Sequence, residues 1–238
     1  MLEVRFEVDI TFRCNLSCAL CDRLIGKLPI SESDLNLDDL SLAAERLKEA
    51  EIRVSRVKVT GGEPLVHPDV KEICHTIREL WPSYKSDGVF IIICTNGILR
   101  RPRIRGVSVS TSPLPKKHVP FTLSPLDMGI SPVGNGYERM CRVQKLCGMS
   151  FDVFGFNFCP YAGIIGRILG IDTYSPTPVV HGDKRICQHC IYSVPTGKRW
   201  KIQQKALAGE IKFPSPTFRE GLERNQKHPT HWKKFRER

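Results

Sequence analysis

Apolar runs of strand length alternate with amphipathic stretches of helix length through the first half of this chain, and that alternation restricts its fold more than any other feature. Leu2, Val4, Phe6, Val8 and Ile10 recur at every second residue, the mark of a strand that ends just before Cys14. From Asn36 the spacing becomes helical. Leu37, Leu40, Ala44 and Leu47 share a face, Asn36 suits the N-cap, and Asp38 and Asp39 fall in the first turn, where the helix dipole favours negative charge. Residues 56–60 predict a second strand. Pro68 opens a second helix with Val70, Ile73, Cys74, Ile77 and Leu80 on one face, and Pro82 stops it. Residues 89–94 form a nearly continuous apolar run, as in a strand covered on both faces; 107–110 read as a fourth strand and 121–123 as a fifth.

This order predicts an α/β fold with a parallel sheet, and specifically a partial (β/α) TIM-like barrel. Residues 97–106 hold Pro102 and four arginines with no helical period, and 112–120 are short and proline-rich. A parallel crossover normally takes a dozen or more residues, so the later crossover helices are expected to be reduced to loops. Beyond Gly134 the periodicity fades and cysteines return. The chain is therefore expected to divide into a barrel at 1–135, a small metal-cluster region at 136–195 and a basic C-terminal tail at 196–238.

Hydrophobic residues at 41% and charged residues at 26% suit a soluble globular protein, and no apolar run approaches the ~20 residues of a membrane span. The N-terminus lacks the unbroken apolar stretch of a signal peptide, so a cytoplasmic location and no membrane partner are expected. In a reducing cytosol ten cysteines read as metal ligands rather than disulfides.

Cys14-x3-Cys18-x2-Cys21 directly follows the first strand. Three thiolates leave one position of a metal site open to an outside ligand, unless a distant residue such as Cys94 completes a zinc site. Thr60-Gly61-Gly62-Glu63-Pro64 follows the second strand, where paired glycines permit close backbone approach and a carboxylate can accept from an ammonium group. Thr95-Asn96-Gly97 follows the third strand and Ser110-Thr111-Ser112 the fourth. All lie at carboxyl ends of strands, the face on which barrel sites assemble.

The three spaced cysteines together with Gly-Gly-Glu-Pro resemble the radical S-adenosylmethionine (SAM) superfamily, over about residues 4–111. The resemblance implies that Cys14, Cys18 and Cys21 hold a 4Fe-4S cluster whose open iron chelates SAM. Reductive cleavage would then give a 5'-deoxyadenosyl radical that abstracts hydrogen from a substrate. It also implies that Gly61, Gly62 and Glu63 receive the methionyl amino group, that Asn96 belongs to the cofactor site, and that Ser108 and Ser110 lie where ribose is contacted. A reductant such as flavodoxin or ferredoxin is implied as partner. Leu20 stands where the family often has an aromatic residue, and its strand-five glycine motif has no clear match.

Of the later cysteines, Cys187-Gln-His-Cys190 is a chelating turn, and Cys147 and Cys159 flank residues 151–158, which read as a hairpin turning at Gly155. Cys147, Cys159, Cys187 and Cys190 make a four-thiolate set similar to the Twitch region, a shortened SPASM extension carrying an auxiliary 4Fe-4S cluster. Cys141 is then a spare or replaces Cys147, and a zinc knuckle has the same ligand count. His189 is expected to orient the loop or face solvent. Cys74 and Cys94 read as packed thiols, and Asp127 and Tyr137 fall in the segment facing the presumed cavity.

Residues 198–238 carry twelve Lys and Arg against four Glu, a net +8 of the +11 total, interleaved with Trp200, Phe213, Phe218, Trp232 and Phe235. Exposed aromatics among cations suit nucleic acid; the alternative is a tail that packs them against the domain. Arg100, Arg101, Arg103, Arg105, Lys116 and Lys117 form a second basic group, and either could meet a phosphorylated or acidic substrate. The substrate is thus open among a nucleotide or nucleic acid, a peptide and a small metabolite. The competing function is a non-enzymatic, zinc-stapled nucleic-acid-binding module.

Overall fold

The computed structural model describes residues 2–29, 34–86, 88–111, 119–130 and 141–238. Ser112, Lys116, Lys117 and Tyr137, and the expected boundary at 135/136, lie outside them. The elements in chain order are β1 (Leu2–Thr11), α1 (Leu37–Glu49), β2 (Ile52–Gly61), α2 (Val70–Leu80), β3 (Phe90–Thr95) and β4 (Val107–Thr111). Then come α3 (Arg142–Cys147), β5 (Met149–Asp152), β6 (Gly155–Asn157), α4 (Ala162–Leu169), α5 (Lys184–Cys187), α6 (Thr196–Leu207) and α7 (Pro216–Lys227).

Asn36 caps α1 as expected: its side chain accepts from the Asp39 N–H at 2.9 Å while Asp39 accepts from the Asn36 N–H at 3.3 Å. Leu40, Ala43, Ala44 and Leu47 of α1 and Ile73, Cys74 and Ile77 of α2 pack into one core with Phe6, Val8 and Ile10 of β1 and Val57 and Val59 of β2. Burying such side chains contributes about 1.5–3 kcal/mol each, which fixes the two crossovers to the sheet. No helix lies between β3 and β4; residues 96–106 cross as a loop, as the proline and arginines foretold. The α/β class and the reduced crossover agree with the sequence.

The six strands among the described residues form one sheet in the order β4-β3-β2-β1-β5-β6, parallel throughout except for the β5–β6 hairpin. Residues 151–158 do contain the expected hairpin, with Gly155 at φ +126°. Its partner is the main sheet. β5 runs beside β1 in the register Phe6↔Met149 and Val8↔Phe151, and the Phe6 and Phe156 rings meet at 6.1 Å.

Residues 121–123 are not a strand. Phe121 and Leu123 are buried in a second core with Phe158, Ile164, Ile168 and Phe218, and the backbone there bonds elsewhere: Thr122 O accepts from the Ser215 N–H at 2.9 Å and Pro120 O from Gln203 at 3.1 Å. A short buried apolar run reads alike in either setting.

The basic tail is also folded. Helices α6 and α7 pack on the second core, Phe218 is fully buried, and Phe235 sits against Phe151 at 4.9 Å and donates its N–H to Val153 O at 2.9 Å. Trp232 packs on the first core. Arg236 pairs with Asp39 at 2.6 Å and Arg238 with Asp172 at 2.9 Å, so two of its cations hold the chain end down. Trp200 alone of the five aromatics is exposed, at 59%. No helix among the described residues is long and apolar enough to cross a membrane.

Candidate active site

The cysteine loop is tied to the carboxyl ends of three strands. At its entry Thr11 Oγ1 accepts from the Arg13 N–H at 3.0 Å and donates to Asp34 at 2.6 Å. A Cβ on Gly61, at φ +125°, would lie 2.2 Å from Thr11 O, and one on Gly62 would lie 2.1 Å from Arg13 O. The glycine pair is thus required where the end of β2 presses on the start of the loop, and the backbone that follows donates there: Gly62 N to Thr11 O at 2.8 Å and Glu63 N to Arg13 O at 2.9 Å.

Glu63 has no exposed surface, and its carboxylate accepts from the Leu65 N–H at 3.0 Å, Thr95 Oγ1 at 2.7 Å and the Asn96 N–H at 2.7 Å. It organises the rim through these bonds and is not among the cavity-lining residues. Asn96 completes the tie by donating its side-chain amide to Asn15 Oδ1 inside the loop at 2.7 Å.

Below this rim lies a cavity of about 280 Å³ lined by Cys14, Cys18 and Cys21 together with Gly61, Gly62 and Asn96. Its floor holds Glu7, Arg23, Lys58, Cys94 and Cys147. The nearly buried Arg23 pairs with Glu7, stands 3.6 Å from Asp9 and donates to Pro160 O at 3.2 Å. Lys58 faces Glu7 at 3.7 Å and donates to Cys147 Sγ at 3.5 Å. Ser110 is in register with Cys94 on the edge strand β4, but neither Ser108 nor Ser110 lines the cavity and both are exposed.

Burial, then Cys14 and Asp22, push the Cys18 thiol up; burial also raises Cys21, against the backbone N–H groups of Ile25 and Arg23. Three half-buried thiols facing one cavity suit an iron-sulfur cluster with an open iron, since bound metal reverses this preference by stabilising the thiolates.

Of the two sets the sequence allows for the later cysteines, the structure gathers the one with Cys141 in place of Cys147. Cys141, Cys159, Cys187 and Cys190 line a second, small cavity of about 20 Å³ walled by Phe158, Ile165 and Ile186, whereas Cys147 lies in the first. Helix α3 explains the exchange: the six residues from 141 to 147 advance about 9 Å along its axis, so the two thiols serve opposite ends. Cys141 thus shares the second cavity with Cys159, Cys187 and Cys190, and Cys147 does not. Burial, then the neighbouring thiols, push Cys159 and Cys190 upward, an arrangement that a metal would relieve. Among the described residues no three His, Cys, Asp or Glu side chains are gathered for a single metal ion, so the case for clusters rests on donor type and spacing.

Tyr161 lines both cavities; its ring lies 4.7 Å from that of Tyr192 and 5.0 Å from that of Phe121, and its hydroxyl donates to Asp22 at 3.1 Å. His189 meets Ser124 Oγ at 3.0 Å and so anchors its loop. Asp127 accepts from Ser215 at 2.6 Å and the Thr217 N–H at 2.9 Å, which caps α7 and removes it from the cavity.

Sequence reasoning missed Glu7, Arg23, Lys58, Asn15 and Tyr161. The available signal was charge of opposite sign at Glu7 and Lys58, which are register partners on β1 and β2.

Residues 8–105 match the family model described as the Radical SAM superfamily. A GTP 3',8-cyclase of Limosilactobacillus fermentum is 36% identical over 93 residues, covering 39% of this chain and 26% of that protein. Molybdenum cofactor biosynthesis protein 1 of Bos taurus is 37% identical over 190 residues, covering 66% and 29%. The mitochondrial GTP 3',8-cyclase of Arabidopsis thaliana is 26% identical over 240 residues, covering 96% of this chain and 56% of its own. The chain thus spans about a quarter to just over half of these relatives' length. Residues 8–105, which contain the cysteine loop and the Gly61-Gly62-Glu63 turn, thus form a radical SAM domain.

Proposed function

We propose that this chain cleaves SAM reductively to start a hydrogen abstraction, and that a purine nucleotide such as GTP is its substrate. The observation that carries the reading is the convergence of the Cys14/Cys18/Cys21 loop, the Gly61-Gly62 edge and Asn96 on one cavity at the carboxyl ends of β1, β2 and β3. When bound, a 4Fe-4S cluster and SAM together supply a carbon radical able to take hydrogen from an unactivated C–H bond.

The chain's own residues then have defined tasks. Cys14, Cys18 and Cys21 hold the cluster, and the buried Glu63, through Thr95 and Asn96, keeps the rim from opening. Glu7 pairs with both Arg23 and Lys58 on the floor and leaves one net positive charge among the three, while the tyrosine and phenylalanine stack restricts water on the side of the second cavity. Cys141, Cys159, Cys187 and Cys190 hold an auxiliary cluster, and a one-electron carrier of the flavodoxin or ferredoxin type supplies reducing equivalents. The substrate follows from the names of the relatives, GTP 3',8-cyclase.

The zinc-stapled nucleic-acid module is the weaker reading. Of the aromatics that would stack on bases, Phe218 and Phe235 are buried and Trp232 is packed on a core. Anaerobic reconstitution with iron and sulfide, followed by dithionite, SAM and GTP, tests both. Formation of 5'-deoxyadenosine with consumption of GTP supports the proposal; stoichiometric zinc and no iron would sink it. Cofactor cleavage that no purine nucleotide stimulates would remove the substrate alone.

A further inference from the structure

Cys147 belongs to neither proposed cluster set, yet its thiol faces the same cavity as Cys14, Cys18 and Cys21. Its position is strictly determined. It ends α3, and Gly148 follows at φ +80° with its Cα so close to Arg5 O that a Cβ would lie 1.8 Å away, so the chain passes from Cys147 into β5 hard against β1. Leu146 O, one residue earlier, accepts from Arg56 at 2.9 Å and from Arg5 at 3.4 Å, which fixes the turn from the other side. The one hydrogen-bond partner described for the sulfur is Lys58 Nζ at 3.5 Å, itself held toward Glu7 at 3.7 Å.

We infer that Cys147 is the hydrogen-atom donor of the first cavity, returning hydrogen to a carbon radical formed there, with Lys58 restoring its proton. The inference rests on the radical SAM reading above. A thiol S–H bond is weaker than an aliphatic C–H bond, so the transfer runs downhill. The carbon radical takes one hydrogen atom from Cys147, forming C–H and leaving a thiyl. One electron from the flavodoxin- or ferredoxin-type carrier reduces the thiyl to a thiolate, the Lys58 ammonium returns the proton, and solvent reprotonates Lys58. No other oxidant or reductant enters. Cys94 also lines the cavity but has no ammonium group within hydrogen-bond reach among the described contacts, so the assignment falls on Cys147.

The step can be read without the natural substrate. The full chain, reconstituted anaerobically, is given dithionite and SAM in deuterium oxide, and 5'-deoxyadenosine is analysed by mass spectrometry. Most of the wild-type product should carry one solvent-derived deuterium. Cys147→Ser and Cys147→Ala should lower the labelled fraction at least tenfold with unchanged iron content, and Cys74→Ala, a core thiol that does not line the cavity, should leave it as in wild type. Unlabelled wild-type product, or label that survives both Cys147 substitutions, would overturn the inference while leaving the family reading intact. No 5'-deoxyadenosine from wild type would overturn both. In the metal-free chain, native alkylation by iodoacetamide should modify Cys147 and spare the buried Cys74; a Cys147 as inert as Cys74 would also overturn it.

Discussion

Substituting Gly62 by Ala should loosen the cysteine loop without touching a cysteine. The added Cβ would stand 2.1 Å from Arg13 O and 3.2 Å from Cys14 Cβ, and the nearer obstacle is backbone that has no rotamer to yield. Side-chain carbons essentially never come within 3.0 Å of such an oxygen, so the end of β2 and the loop entry must part by about 1 Å, and N–H···O bonds mostly end near ~3.2 Å. The bonds Gly62 N to Thr11 O and Glu63 N to Arg13 O, now 2.8 and 2.9 Å, would then stretch beyond hydrogen-bond range. Two lost bonds at about 1 kcal/mol each, with residual strain of about 1–2 kcal/mol, give a destabilisation of roughly 2–4 kcal/mol. For a chain of this size that lowers Tm by roughly 5–15 °C. Circular dichroism measures the melting, and iron bound after reconstitution reports the loop. The control is Gly197→Ala in the first turn of α6, where an added Cβ meets nothing within 4 Å and should be neutral or slightly stabilising. Equal behaviour of the two variants would refute the role given to the glycine pair.

Cys141→Ala should lose about half of the iron, as two cysteine-ligated cubanes require, whereas Cys147→Ala should keep it; the reverse would return Cys147 to the second set. Phe218→Ala should cost about 3–5 kcal/mol in urea unfolding, because a fully buried ring leaves a cavity, and a loss below ~1 kcal/mol would mean that α7 is dispensable. Asp9 gives a pH signature. Burial, reinforced by Asp152, pushes its carboxyl well above the usual carboxylate range against the pull of Arg167. The folded chain therefore keeps a proton that the unfolded chain releases above about pH 4, and this stability is lost as pH rises through the folded-state value. Asp9→Asn cannot ionise, so its Tm relative to wild type should be more favourable at pH 8 than at pH 5; an equal difference at both would contradict the shift.

The half of the fold from β1 to β4 is legible in the sequence because each element carries its own period and its own cap. Asn36 and Asp39 announce α1 unaided, and Pro102 among four arginines rules out a helix before β4. The later half is not legible because its apolar runs are short and their partners distant. Phe121 and Leu123 look like strand residues, yet their neighbours are α4 and α7, some forty to a hundred residues on. Within the site, spacing marks Cys14, Cys18 and Cys21, but counting cannot tell Cys141 from Cys147; only the helix between them decides which cavity each meets. Glu7 and Asp9 resemble the wet face of an alternating strand, yet both are buried, with the nearly buried Arg23 set against them.

The central claim is that Cys14, Cys18 and Cys21 bind a cluster that cleaves SAM at this cavity. It is tested most directly by measuring 5'-deoxyadenosine from anaerobically reconstituted wild type and from Cys18→Ala, each with dithionite and SAM, alongside iron content and EPR. Wild type should form 5'-deoxyadenosine and show a reduced-cluster signal, and Cys18→Ala should lose both the product and about half of the iron, the share of one cubane of two. Product formation that persists in Cys18→Ala, or a wild type that binds zinc and no iron, would contradict it.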